Sequence, residues 1–327
     1  MKKNKKIILS IDNIIVEMKN EMIDILKKYF IDVEYFFGSE PSKDSQTFLY
    51  KKLKQFSRYK NTPNFIKNLY SIMQEDYYLK NLKKFKDVDY VLTIGGVYYN
   101  PKFIKLVKEQ NLDIKFICFL WDKYPKNIID QYKENYDCVY TFEKDDAKAN
   151  GIIWQPSFYL ENKQLEYKEK KLDCYYLGNL RDNHRYEILK QMEKISEKYN
   201  LTVDLKLYSS KKSKDKLITN KKISYKENLE YIKKSKVSLE INIKGQKGLT
   251  LRALECLAYN TKLITTNEDI LNYDFYNQNN IKIIRSKEDL NEIPIDFFKN
   301  NYVKIPQDIK NKYSFEGFIK EIFKEEI

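Results

Sequence analysis

A chain of 327 residues is about twice the size of a common domain, which predicts two domains of roughly 150 residues each. Hydrophobic residues at 42% and aromatics at 15%, with only eight Gly and seven Pro, exclude a disordered, collagen-like or linker-like protein. The net charge of +13 admits a nucleic acid or an anionic membrane as partner. Only five of the 60 basic residues are Arg, however, and the wealth of Lys, Asn, Ile and Tyr is also what an AT-rich genome would write.

The first six residues look like the basic start of a signal peptide, but the apolar run at 7–11 is too short and ends at Asp12. No run of 18 apolar residues follows anywhere, so a cytoplasmic protein without a membrane span is expected. Cys118, Cys138, Cys174 and Cys256 lack CxxC spacing and sit in apolar runs, which speaks against disulfides or a zinc site and for a reducing compartment.

Short apolar runs alternate with amphipathic stretches, the pattern of βαβ units and a parallel sheet. The first set predicts strands at 6–11, 33–37, 88–94, 115–120 and 138–142, with helices near 13–29, 101–109 and 125–134. Residues 45–86 are too long for one crossover and predict two helices as an insertion. Within 43–86 there are 11 Lys and Arg against three acidic residues, interleaved with aromatics such as Phe48, Phe56 and Phe65. Such a stretch can lie on an anionic membrane surface, or present a solvated face over core aromatics.

A charged run at 161–171 reads as a linker. The second set then predicts strands at 173–177, 202–208, 237–241, 262–265 and 281–284, and helices near 183–199, 226–234 and 250–259. The expected fold is α/β, with two Rossmann-like domains whose open parallel sheets face a central cleft. The boundaries are 1–155 for an N-terminal domain, with the helical insertion at 45–86, and 156–310 for a second domain. Residues 311–327 hold a terminal helix that can fold back on the first domain.

Two loops concentrate the scarce Gly and Arg. The first, residues 176–185, contains Gly178, Asn179, Arg181, His184 and Arg185, with Asp182 or Asn183 as the N-cap of the next helix. The second, residues 243–266, runs through Gly248, Leu249 and Thr250 into a helix carrying Arg252 and Glu255 on one face. Free N–H groups at helix starts, with Arg beside them, suit a diphosphate. Glu255, one turn in, suits ribose hydroxyls. The loops at 208–210 and 224–225 are where contacts would select a base.

Residues 172–266 resemble the donor-binding half of GT-B glycosyltransferases, in particular the group-1-like enzymes of lipopolysaccharide and capsule assembly. The strand–Gly178–Arg181 loop, the helix with Arg252, Glu255 and Ala258, and the following Leu-Ile-Thr-Thr carry the likeness. The resemblance implies that Glu255 grips the ribose while Arg181 and Arg252 hold the diphosphate, with no metal needed. Retaining members carry two Glu separated by seven residues; eight positions before Glu255 stands Lys247, which leaves the anomeric outcome open. On the first domain Gly95, Gly96 and Tyr98 follow one strand and Trp121 and Asp122 the next. They form the acceptor side, with Asp122 as the candidate base.

The sequence therefore reads as a metal-independent glycosyltransferase. It would take a nucleotide-sugar donor and a saccharide or lipid-linked acceptor, at the inner face of the cell membrane. Two alternatives stand beside it: a basic nucleic-acid-binding protein, although no such motif is present, and a catalytically inactive nucleotide-binding module. A sugar-nucleotide epimerase would be expected to show an N-terminal GxGxxG, which residues 10–14 lack.

Overall fold

A computed structural model describes residues 3–11, 16–37, 46–57, 62–95, 99–160, 169–243 and 245–324. The first half holds six strands: β1 (Lys3–Ile11), β2 (Phe30–Tyr35), β3 (Tyr90–Ile94), β4 (Lys115–Leu120), β5 (Cys138–Thr141) and β6 (Ile153–Trp154). They form one sheet in the order β2-β1-β3-β4-β5-β6, and every pairing is parallel. Between them run α1 (Lys19–Leu26), α2 (Phe48–Ser57), α3 (Asn64–Asn81), α4 (Pro101–Gln110), α5 (Lys126–Asn135) and α6 (Lys144–Asn150).

The second half repeats the plan with β7 (Leu172–Asn179), β8 (Val203–Tyr208), β9 (Ile218–Thr219), β10 (Ser235–Glu240), β11 (Lys262–Thr265) and β12 (Ile281–Ile283). Their order is β12-β11-β10-β7-β8-β9, again parallel throughout. The helices are α7 (Asn183–Tyr199), α8 (Tyr225–Lys234), α9 (Leu251–Ala258), α10 (Asp296–Lys299), α11 (Gln307–Lys312) and α12 (Phe315–Ile322).

Strand alternation divides the interior. Ile7, Leu9 and Ile11 enter one core, while Ile8 on the same strand enters another with Phe103 and Phe116; successive side chains of a strand point to opposite faces. The first of these cores continues into the second half through Tyr175, Leu254 and Leu257. Cys174 and Tyr176, the neighbours of Tyr175 on β7, face the separate core under α7. One shared apolar core thus lies between the sheets, and each sheet has an outer core of its own.

Helix α12 belongs to the shared core. Phe318 packs edge-on against Phe119 of β4 at 4.8 Å and against Phe158 at 4.7 Å. Phe323 reaches Phe30 of β2 at 5.2 Å, and the Tyr29 hydroxyl donates to Glu316 at 2.6 Å.

Several elements differ from the sequence expectation. Strand β2 begins at Phe30 rather than 33, and the helix expected over 13–29 is a 3-10 turn, Val16–Met18, followed by α1; residues 13–15 of that span lie outside the described residues. Strands β6 and β9 are two residues long, too short to carry a period. Helix α6 has the sequence KDDAKAN, which leaves no apolar stripe to read. Of the charged run at 161–171, residues 161–168 lie outside the described residues, but Lys170 is pinned. Its ammonium donates to the Ser235 carbonyl and the Thr261 hydroxyl at 2.8 Å each, and burial pulls its pKa down to about 8.

Candidate functional site

In an open α/β sheet the place for a ligand is outside the carboxyl ends of the strands, where the strand order reverses. In the second half that point lies between β7 and β10: from β7 the chain runs outward to β8 and β9, then returns to the other side of β7 with β10. A cavity of about 240 Å³ opens there. Gly178, Asn179, Arg181 and Arg185 line it from the β7 side, and Glu240 and Asn242 from the β10 side. Asp182 caps α7 by accepting the Arg185 N–H at 3.0 Å, which fixes where the Arg185 side chain starts. Arg185 is only 8% exposed. Its guanidinium donates to the Asn179 carbonyl at 3.1 Å and keeps a buried Nε without a partner. Both amide atoms of Asn242 are likewise buried and unpaired.

A second cavity, of about 310 Å³, adjoins the first and shares Gln246, Thr250 and Arg252 with it. Trp121 and Asp122 line it from β4, and Tyr225, Asn228 and Glu255 from α8 and α9. The two halves therefore contribute opposite walls. Thr250 is the N-cap residue of α9 but makes no side-chain cap; its hydroxyl bonds Glu240 instead. The first N–H groups of α9 are thus left to another acceptor. Burial pushes the Glu240 carboxyl up in pKa, opposed by the Thr250 and Thr265 hydroxyls.

Arg252 stands between the cavities, and most of its donors are spent inside the protein. The guanidinium donates to the Leu177 carbonyl at 3.2 Å, to Asn228 Oδ1 at 3.0 Å, and to Ser238 and the Leu239 carbonyl at 3.3 and 3.4 Å. It lies over the Tyr175 ring at 5.4 Å. Its Nε is 3.7 Å from Glu255 Oε2 and has no hydrogen-bond partner. Glu255 is 2% exposed, and burial raises its pKa while the Arg252 charge opposes the shift. The Tyr225 hydroxyl is buried against the Glu255 carboxylate and interacts with it, and Glu255 Oε1 makes no hydrogen bond of regular geometry. Leaving a buried group under-satisfied costs about 1–3 kcal/mol, and Arg252 Nε and the Tyr225–Glu255 pair border one cavity. Hydroxyls of a ligand can bond to them there.

On the first half, Gly95 ends β3 with φ of +80°, and a Cβ there would fall inside the Trp121 indole. That close approach seats the indole at the mouth of the cleft. Asp122 is exposed and accepts the Lys123 N–H at 3.0 Å. Gly96 and Tyr98 lie outside the described residues. Gly248 serves contact between the halves: a Cβ would strike the ring and carbonyl of Phe142. The same loop is held by Lys247, whose Nζ pairs with Asp145 at 2.8 Å and whose N–H reaches Glu143 at 3.3 Å.

Of the residues singled out in the sequence, Arg181, Arg185, Gly178 and Asn179 meet at one cavity, Asp122, Trp121, Leu249 and Glu255 at the other, and Thr250 and Arg252 at both. His184 is exposed on the first turn of α7 and lines neither. Glu240, Asn228 and Asn242 join the site without having been picked out. Glu240 did leave a signal, as the one carboxylate of its strand, SKVSLE, standing at the carboxyl end. Among the described residues no group of three or more His, Cys, Asp and Glu is gathered to hold a metal ion.

No protein-family model matches the chain, and no curated protein is similar to it in sequence. Solved structures are similar in shape along its whole length. The trehalose-6-phosphate phosphatase N-terminal domain of Candida albicans is 13% identical, with all of this chain and 98% of that one aligned and a TM-score of 0.55. The UDP-GlcNAc 2-epimerase of Neisseria meningitidis, solved with UDP-GlcNAc bound, is 11% identical over 98% of this chain and 100% of that one, with a TM-score of 0.49. MurG of Acinetobacter baumannii is 10% identical over 98% and 99%, with a TM-score of 0.47. At such identities the likeness is one of fold. The fold is GT-B-like. Its two Rossmann-like halves face each other across the cleft that holds both cavities.

Proposed function

We propose that the protein is a glycosyltransferase that takes a nucleotide-sugar donor in the second half and an acceptor hydroxyl against the first. The observation that carries this reading is the pair of adjoining cavities at the β7–β10 switch point. One is basic, through Arg181 and Arg185. The other is lined by Glu255, Tyr225 and Arg252, with under-satisfied polar atoms among them. The basic cavity and the start of α9 receive the diphosphate; the Glu255 cavity receives the hydroxyls of ribose or sugar.

In transfer, the acceptor oxygen attacks the anomeric carbon, its proton passes to Asp122, and the bond to the diphosphate breaks. The negative charge gathering on the leaving diphosphate is met by Arg181, Arg185 and the α9 N–H groups. The reading requires no divalent cation, because the chain itself supplies this positive charge. A saccharide or lipid-linked acceptor of bacterial surface glycan assembly, lipopolysaccharide or capsule, follows from the resemblance of residues 172–266.

The test is a thermal-shift panel of UDP, GDP, CMP, dTDP and ADP, each with EDTA and with magnesium. One nucleotide should raise the midpoint equally in both, by about 2.7 kcal/mol of stabilisation at about 100 times its Kd. Silence across the panel from folded protein would sink the reading.

A further inference from the structure

The two-helix insertion turns an apolar face outward. In α2 the buried side chains are Tyr50 and Leu53, while Phe48, Leu49 and Phe56 stand exposed, Phe48 at 77%. In α3 the residues Phe65, Leu69, Ile72 and Leu79 fall on one helical stripe, with Phe65 64% and Ile72 60% exposed. Seven of the sixteen exposed large apolar side chains among the described residues thus lie on these two helices. The pair meets the body of the first half from its other side, where Tyr77 stacks on Phe36 at 6.3 Å and Tyr78 packs on Phe103 at 5.1 Å. Neither helix lines either of the two cavities at the cleft. Their exposed side chains form an apolar ridge.

Charge identifies what covers it. Between 43 and 86 the net charge is +8; Lys51, Lys52 and Lys54 stand on α2 among its exposed apolar side chains, and Asp76, which shares the α3 stripe, is paired with Lys80 at 2.6 Å. The Lys52 ammonium lies 5.7 Å over the Phe48 ring, so cation and apolar surface are interleaved. Lysine stems can stay along an apolar surface while their ammonium groups rise to phosphate level. We propose that α2 and α3 dock this protein on an anionic bilayer. The seven apolar side chains enter the boundary between headgroups and acyl chains, and the lysines sit on lipid phosphates. An exposed apolar ridge in a segment of net positive charge fits a deformable anionic surface.

Docking uses no nucleotide, so its test is independent of the donor site. The full chain is sedimented with vesicles of phosphatidylcholine alone and with vesicles of phosphatidylcholine mixed with phosphatidylglycerol. It should sediment with the mixed vesicles and much less with the neutral ones. The double variant Phe65→Ser/Ile72→Ser should lose about a hundredfold in partition, about tenfold for each apolar side chain removed. Lys51→Glu/Lys52→Glu should lose at least as much, and high salt should do the same to the native chain. Phe65→Trp, which keeps the ridge apolar, should shift its emission to the blue on adding mixed vesicles. Equal sedimentation of native and variant chains overturns the proposal, as does a Phe65→Trp emission spectrum that mixed vesicles leave unshifted. A dimer that the Phe65→Ser/Ile72→Ser change dissolves, without vesicle binding, would give the ridge to a second copy of the chain.

Discussion

Removing the Arg252 guanidinium takes away more than a charge facing a ligand. It ties the ends of β7 and β10 together through the Leu177 and Leu239 carbonyls, and it is the nearest cation to the buried Glu255. Arg252→Ala should therefore lose about 3–5 kcal/mol of stability, the usual cost of breaking a buried charge pair, and lose nucleotide affinity with it. Arg181 is exposed at the same cavity. Arg181→Ala should weaken nucleotide binding while the urea midpoint stays where it was. Urea unfolding and calorimetry on both variants check the contrast. A stable Arg252→Ala protein would mean that the carbonyls find other donors. Asp122 is a different kind of residue. It is solvent-facing, and its carboxylate accepts only the adjacent N–H among its described bonds, so Asp122→Asn should leave fold and donor binding intact. Transfer should fall about 10²–10⁴-fold, the range for a lost general base; undiminished turnover would remove Asp122 from the chemistry.

At the scale of elements, what could be read from the sequence was what local pattern encodes. Strands such as β4, KFICFL, are buried on both faces and read as apolar runs. Helix α7 was legible over its full length of 17 residues, with Asp182, its cap, one of two candidates. The insertion was visible as excess length, and its two helices follow from period. Elements whose pairing is set from afar stayed hidden. β6 and β9 exist because Tyr140 and Leu207 offer them edges, and α6 is held by its neighbours without a stripe of its own. The site divides along the same line. Arg252 and Glu255 could be placed together because three residues on a helix share a face. That Arg252 would be consumed by the carbonyls of Leu177 and Leu239 depends on which strand ends adjoin, which no local spacing states. Asn242 was invisible for the same reason, as an ordinary polar residue after a strand. His184 was placed at the site by its neighbours in the 176–185 loop, and membership of a loop says nothing about which way a first-turn side chain faces.

For the whole molecule, the question is whether two sheets behave as one body. The shared core argues that they do, since Ile7 of β1, Tyr175 of β7 and Phe318 of α12 belong to a single apolar cluster. The chain returns from the second half to the first through a short bridge in which the Tyr159 N–H donates to the Tyr313 carbonyl at 2.8 Å and the Phe315 N–H to the Tyr159 carbonyl at 2.9 Å. Phe318 then fills the space between Phe119 and Phe158. On the cleft side the Lys247–Asp145 pair and the Gly248–Phe142 contact hold the loop before α9. The pair is exposed and screened by solvent, so the apolar clamp decides. Native protein should unfold in urea as one transition seen alike by far-UV circular dichroism and Trp fluorescence. Phe318→Ala should cost about 3–5 kcal/mol, the range for emptying a buried aromatic site, and should separate the two probes as the halves lose their common core. Coincident probes with a loss under about 1 kcal/mol would show that the halves are joined at the cleft and not by α12.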